Sequence, residues 1–417
     1  MAMNQELAAR QLYGDDDREL PDEQLLGQAY LLPRSPEELR LKRSGFYGLA
    51  EGTTAFADGW SDYAHALLAG WYAHEQYVLA EERAASENGT AAAGAFGASR
   101  TWRPLYEQIE RQLAVVTTSL HPVARHSDGQ PVISPDSQGG IRLSGRQTFG
   151  ADALLVDELL VFVREEGEAD PATAALIPVR TEGLKLLEIG SSVAAVYEDV
   201  RIPQEKLLVV QDAGRLKRLL GHPLVQSLAD YQWASRQLDA IELIAGTSFA
   251  LAEQTGLGGE LHIQGELGEL IQGMETLKAL LHAAEIGARP STAGVLLPSL
   301  APLQAARRAG IDTYGKAVHV LQRIGAAAFL RKTNISGASV EGSGKPSLLE
   351  LAWRLAGSSD ASRKKLHEQH AFGDPLVQSQ ELYRHYPVQL LRSRYREFWQ
   401  AVHSIDGDGD NDQEVRP

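Results

Sequence analysis

Hydrophobic periodicity changes twice along this chain, and that double change constrains its fold more than any other feature. Up to about Gln112 the apolar residues follow a helical spacing, as in Ala66, Leu67, Gly70, Trp71, His74, Tyr77 and Val78. Ser35-Pro36-Glu37-Glu38-Leu39 reads as a capped helix start with proline just inside it. Residues 86–99, SENGTAAAGAFGAS, are small and glycine-rich and read as a loop.

Between about 113 and 212 the pattern shifts to short β-rich runs. Val132-Ile133, Ile141 with Leu143, Leu159 to Val163, the run VAAVYEDVRI and the LLVV after Pro203 are punctuated by Gly139-Gly140 and by proline. No helical stretch intervenes, which predicts an antiparallel β domain. From about 222 to 402 the helical period returns. Leu224, Leu228, Tyr231, Leu238, Ile241, Ala245, Phe249 and Ala252 make one stripe, and Leu267, Leu270, Ile271, Met274, Leu277, Leu281 and Ala284 a second. Thr255-Gly256 ends the first with a residue suited to a left-handed cap. The short glycine-rich joint predicts an antiparallel pair within a bundle. Further helices are expected at 301–329, 347–370 and 377–402. The expected division is a helical N-terminal domain (1–112), a central β domain (113–212), a C-terminal helical bundle (213–403) and a disordered acidic tail (404–417). The fold class is α+β.

Several function classes fall away on composition. With no cysteine there is no thiolate nucleophile, no disulfide, no cysteine-bound zinc and no cysteine-bound iron–sulfur cluster. The 55 acidic residues outweigh 40 basic ones, giving a net charge of −15 and no concentrated basic face for nucleic acid. The one short basic run, Arg363-Lys364-Lys365 beside Glu368, reads as a solvated helix face. No apolar run approaches a membrane span and the first residues are polar, so the chain is expected to be cytoplasmic.

Generic catalytic signatures are missing. Gly256-Leu-Gly258-Gly259 lacks the third glycine of a dinucleotide fingerprint and follows a helix. Gly342, Gly344 and Lys345 are followed by Pro346, where a phosphate loop needs a hydroxyl residue. His367-Glu368-Gln369-His370 places two histidines one turn apart, with no third ligand evident, and reads as a polar solvent-facing helix; no metal is expected. The aspartates of the tail lack the glycine of a calcium loop at Asn411. An α–β–α chain without a local catalytic motif suits an enzyme whose cofactor carries the reactive group.

The order of the three zones resembles the acyl-CoA dehydrogenase fold. Within it, several segments are similar to the 4-hydroxyphenylacetate 3-hydroxylase family of two-component flavin monooxygenases. They include Tyr30-Leu-Leu-Pro33-Arg34-Ser35-Pro36, Asp58-Gly59-Trp60-Ser61-Asp62-Tyr63, and Val116 to Arg125. They continue with Gly140 to Arg146, Asp157 to Phe162, Val196 to Pro203, Ile263 to Ile271, Gln322 to Ala326, and Phe372-Gly373-Asp374-Pro375. The resemblance covers roughly residues 25–400.

What the resemblance implies is a FADH2-dependent hydroxylase. FAD arrives reduced from a separate flavin reductase, and with O2 it places one oxygen on a phenol, ortho to its hydroxyl. The site must exclude water and hold the ring in position. The resemblance puts Tyr63 at the chemistry, with His121 the candidate to stand in there for the family's histidine, and Thr117, Thr118, Ser119, Arg125, Gly373, Asp374 and Pro375 at the flavin. On their residue types alone these positions keep second readings. Tyr63 could be a buried structural tyrosine and His121 a turn residue before Pro122. Thr117, Thr118 and Ser119 could be ordinary strand hydroxyls. Arg125 could pair with Asp128, and Gly373-Asp374-Pro375 could be a helix-start turn.

Two departures from the family pattern stand out. The family's arginine four residues before the tyrosine is Gly59 here, and its histidine on the first strand falls on Thr117. Either His121, His65 or Arg103 rebuilds the pocket, or the substrate differs, for example a larger or carrier-linked phenol of a biosynthetic route or of aromatic metabolism. An acyl-CoA dehydrogenase-like oxidoreductase and a degenerate, non-catalytic member are the alternatives. A fold of this type also implies a homo-oligomer, a dimer or tetramer.

Overall fold

The computed structural model describes residues 22–52, 60–87, 103–119, 131–137, 139–164, 170–189, 192–331, 347–370 and 375–407. Helices come first: α1 (Glu23–Tyr30), α2 (Pro36–Gly52), α3 (Trp60–Glu87) and α4 (Arg103–Gln112). Asp22 caps α1 by accepting from Gln24 N at 2.7 Å. Ser35 caps α2 as its sequence predicts, its Oγ accepting from Glu38 N at 3.2 Å while Glu38 Oε2 accepts from Arg34 N at 2.6 Å. Lys42 is buried and donates to the carbonyls of Ala29 and Leu31, so its ammonium closes the C-terminal end of α1.

Eight strands follow: β1 (Val116–Thr118), β2 (Val132–Pro135), β3 (Ile141–Gly150), β4 (Glu158–Arg164), β5 (Pro171–Pro178), β6 (Leu184–Ile189), β7 (Ser192–Ile202) and β8 (Leu207–Val209). They form two four-stranded sheets, ordered β1-β4-β5-β8 and β2-β3-β7-β6. All pairings are antiparallel except β1 with β4, which is parallel, with Thr117 opposite Leu159. A strand arriving from a helix has no hairpin to reverse it, which is why β1 escapes the expected antiparallel pattern. At Gly140 φ is +102°, and a Cβ there would lie 2.3 Å from the Ile202 carbonyl oxygen, so the glycine lets β3 start beside the end of β7.

The second helical set is α5 (Ala213–Leu220), α6 (Pro223–Gln254), α7 (Leu261–Ile286), α8 (Leu300–Arg331), α9 (Leu348–Ala356), α10 (Ser359–His370), α11 (Pro375–His385) and α12 (Val388–Gly407). A two-residue hairpin pair, β9 (Arg289–Pro290) and β10 (Leu296–Leu297), separates α7 from α8. Gly256 adopts φ +72° after α6, the left-handed cap read from the sequence. Three expectations are corrected. The helix expected over 347–370 is two, broken at Gly357, and that over 377–402 is two, broken at Pro387, which has no N–H to continue a helix. The last helix also runs to Gly407, beyond the expected start of the tail at 404; residues 408–417 lie outside the described ones, as does most of the loop expected at 86–99.

Two apolar clusters hold the chain. One joins α1, α2, the β2-β3-β7-β6 sheet and the seam of α6, α7 and α8 through residues such as Phe46, Ile141, Tyr197, Tyr231, Leu270 and Leu321. The other packs α3 and α4 on the β1-β4-β5-β8 sheet through Trp71, Tyr106, Leu160 and Leu176. The α3–α6 contact is close: a Cβ on Gly70 would lie 2.9 Å from Val225 backbone atoms. That approach brings the middle of α6 against the start of α3, where the site lies.

Candidate functional site

Residues two apart on α3 face nearly opposite ways. At about 100° per residue, His65 stands roughly 160° around the helix from Tyr63. Two polar clusters result, one on each side of α3.

On the α6 side, Asp62 and Arg236 form a buried two-pronged ion pair, Nε to Oδ2 at 2.8 Å and Nη2 to Oδ1 at 3.1 Å. Arg307 of α8 lies 7% exposed, with Nη1 2.9 Å from Asp230 Oδ1 of α6 and 3.8 Å from Glu381 Oε2 of α11. Burial lifts the Asp230 carboxyl to about 6, opposed by the Arg307 cation and reinforced by Glu381. Tyr63 is buried and feels these same three charges. Burial raises its hydroxyl above the ordinary tyrosine range, Arg307 opposes this, and Asp230 and Glu381 add to it, so the group is a neutral hydrogen-bond donor. One turn before Arg307, the buried Gln304 bonds His385 Nδ1 of α11 through its amide nitrogen at 2.9 Å.

On the other side, Tyr30 stacks on His65 with centroids 4.0 Å apart and planes 3° from parallel. Tyr106 OH lies 3.4 Å from His65 Nε2. Burial holds His65 neutral, its basicity pushed well below the ordinary range, and the neighbouring Lys42 acts in the same direction. Arg103 packs over Tyr72, 4.9 Å from the ring centre, and donates to its hydroxyl at 3.2 Å.

The three hydroxyls at the start of the β region are all buried but not alike. Thr117 Oγ1 donates to Asp152 Oδ2 at 2.6 Å, and Thr118 Oγ1 donates to the Leu160 carbonyl at 2.9 Å. Each has committed its proton and can only accept from anything further. Ser119 Oγ is buried without a hydrogen-bond partner among the described residues, so it retains both capacities.

The arrangement has counterparts among known proteins. Residues 225–331 and 327–400 match the family described as 4-hydroxyphenylacetate 3-hydroxylase C terminal. The match covers the helical bundle and marks a resemblance to the 4-hydroxyphenylacetate 3-hydroxylase family. Relatives include a probable 4-hydroxyphenylacetate 3-monooxygenase of Bacillus subtilis, 23% identical over 91% of this chain and 86% of the relative. Another is the 4-hydroxyphenylacetate 3-monooxygenase oxygenase component of Thermus thermophilus, 23% identical over 89% of this chain and 83% of its own length. The fold superimposes on a crystal structure of such an oxygenase component complexed with FAD and 4-hydroxyphenylacetate, with a TM-score of 0.70 at 22% identity over 91% of this chain and 86% of that one. An archaeal 4-hydroxybutyryl-CoA dehydratase from N. maritimus shares the fold at a TM-score of 0.65 and 12% identity, over 94% of this chain and 83% of that one. The architecture is thus the acyl-CoA dehydrogenase-like one read from the sequence.

Set against this 4-hydroxyphenylacetate 3-hydroxylase frame, the residues named from the sequence divide into three groups. Tyr63, Thr117, Thr118 and Ser119 are buried where α3 meets β1, as a site would need. Gly59, His121, Arg125, Gly373 and Asp374 lie outside the described residues, and Pro375 is described only as the first residue of α11. His65 and Arg103 are on the Tyr30–Tyr106 side of α3, away from the Tyr63 cluster, so neither supplies a cation beside Tyr63. The segment read as solvent-facing is partly inside: Glu368 is buried and accepts from Gln237 Nε2 at 3.1 Å. Asp230, Arg307, Gln304, Glu381 and Asp152 were not singled out from the sequence. A signal for Asp230 existed, since α6 carries Asp230, Gln232, Arg236 and Gln237 inside a stripe otherwise apolar, and all four are buried.

Proposed function

We propose that this chain is the oxygenase component of a two-component system that hydroxylates a phenol, taking FAD already reduced by a separate reductase. The supporting observation is the family match over the bundle together with relatives of that name aligned along almost the whole chain. The residues present fit a flavin at β1: Ser119 Oγ is a buried polar atom in want of a partner, beside two hydroxyls that can still accept. When bound, reduced FAD supplies the two electrons that let one atom of O2 enter the ring ortho to the hydroxyl while the other leaves as water. Arg125, Gly373, Asp374 and Pro375 are its remaining proposed contacts, and His121 the proposed proton-handling partner.

Tyr63 holds its proton firmly and so donates a hydrogen bond to the substrate's oxygen, stabilising the electron-rich phenolate that oxygen transfer favours. Thr117 Oγ1, its own proton given to Asp152, is left to accept from the flavin. The buried walls around Tyr63 exclude water. We further infer a cytoplasmic enzyme of a biosynthetic route, since the family's arginine and histidine give way to Gly59 and Thr117, and a homo-oligomer built on the apolar stripe of α12.

The test supplies purified protein with chemically reduced FAD, 18O2 and a panel of phenols, and looks for labelled catechol by mass spectrometry. Tyr63→Phe is expected to lower turnover about tenfold or more with anaerobic FADH2 affinity unchanged, and Ser119→Ala to weaken that affinity roughly fivefold. No labelled product from any phenol, together with no binding of reduced FAD, overturns the reading.

A further inference from the structure

The seam between α6, α8 and α11 beside Tyr63 brings two carboxylates, Asp230 and Glu381, onto one arginine, Arg307. Arg307 is the cation there, and its Nη1 is already shared between Asp230 and Glu381, so the three side chains together carry one net negative charge. Asp230 Oδ2 and Gln304 Oε1 are both buried and have no hydrogen-bond partner among the described residues. Asp230 is 5% exposed and Gln304 2%, so water does not reach them freely. A carboxylate oxygen and an amide oxygen are acceptors only, and leaving each unpaired at such depth is unfavourable. Gln304 and Arg307 share a face of α8, three residues apart, and Glu381 and His385 share a face of α11, four apart, so the orphan acceptors and the shared cation belong to one seam.

Resting on the phenol-hydroxylase reading above, we propose that this seam binds a protonated amine, and that the substrate is a phenol bearing an ammonium group. An ammonium has three donors, no acceptor and a positive charge, which meets both orphan oxygens and the excess of carboxylate in one group. A substrate carboxylate would meet the opposite: acceptors facing acceptors, and an arginine whose charge is already neutralised by two acids. The sequence points the same way, since the position four residues before Tyr63 is Gly59 rather than the family's arginine and so carries no charge.

Isothermal titration of the full-length protein with tyramine, p-cresol and 4-hydroxyphenylacetate tests this, since the three share a phenol and differ in charge. Tyramine is expected to bind at least tenfold tighter than 4-hydroxyphenylacetate, with p-cresol between them. Glu381→Gln should shrink the tyramine preference threefold or more, and Gln304→Met should weaken tyramine while leaving p-cresol unchanged. Equal affinities for all three, tighter binding of 4-hydroxyphenylacetate, or a tyramine preference that neither variant reduces overturns the amine assignment. In the first two of those cases labelled catechol from p-cresol would still uphold the hydroxylase reading. Absence of binding by every phenol, with no labelled product, overturns both.

Discussion

At the scale of single residues, the densest energetic commitment is the pair Asp62–Arg236. Both side chains are inside, and each satisfies the other through two parallel contacts. Such a pair adds little over a well-packed apolar substitute, but removing one partner strands a charge in low dielectric. Asp62→Ala is therefore expected to cost about 3–5 kcal/mol in urea unfolding, and Tyr63, its neighbour on α3, would lose its fixed position. A midpoint within error of the parent would show the pair to be dispensable. Tyr63 and the β1 hydroxyls could be nominated from the sequence because each sits in a contiguous segment that resembles the family. Asp230, Gln304, Arg307 and Glu381 were not, because three helices far apart in the chain assemble them and no spacing along any one helix announces it.

At the scale of elements, caps and breakers behaved as their chemistry requires. Ser35, Gly256 and Pro387 each act where the backbone needs an acceptor, a left-handed turn or a stop. The joint between α5 and α6 carries a pH-sensitive contact. His222 caps α6, its Nδ1 accepting from Leu224 N at 3.2 Å, which leaves the proton on Nε2 to be donated to His74 Nε2 of α3, 3.2 Å away. Burial, with His222 beside it, lowers His74 to about 4. The unfolded chain, with an ordinary histidine near 6.5, thus binds the proton more readily than the folded one. The stability this contributes is complete above about pH 6.5 and is lost as pH falls through about 4. His74→Phe is expected to flatten the acid limb of the stability profile across that window by about 2–3 kcal/mol. Superimposable limbs for parent and variant would refute it.

At the scale of the whole molecule, the last helix is the unfinished part of a single chain. Leu391, Tyr395, Phe398 and Trp399 recur at helical spacing on α12 and are 56%, 60%, 65% and 47% exposed. Tyr395 and Trp399 stack on each other, 5.9 Å between centroids, and so present one flat aromatic face. The same helix carries Arg392, Arg394 and Arg396 in a chain whose net charge is −15, so an acidic second copy is an electrostatically matched partner. Sedimentation should give a dimer or tetramer for the full chain and a smaller species for Leu391→Glu/Phe398→Glu, with secondary structure retained. A monomeric parent at micromolar concentration would count against the assembly. Among the described residues no helix is long and apolar enough to cross a membrane.

The sequence by itself determined what repeats locally: where helical period gives way to strand period, that Ser35 caps α2 and Gly256 ends α6, and which contiguous segments resemble the family. These follow from backbone geometry and side-chain chemistry over a few residues, so a linear reading reaches them. Tertiary structure alone decided that β1 pairs parallel to β4, that His65 packs between Tyr30 and Tyr106, and that Asp230, Arg307 and Glu381 meet. The last of these depends on how helices separated by some seventy residues or more turn toward one another. Packing of opposite faces settles that rotation, and burial then gives the charges brought together their altered proton affinities.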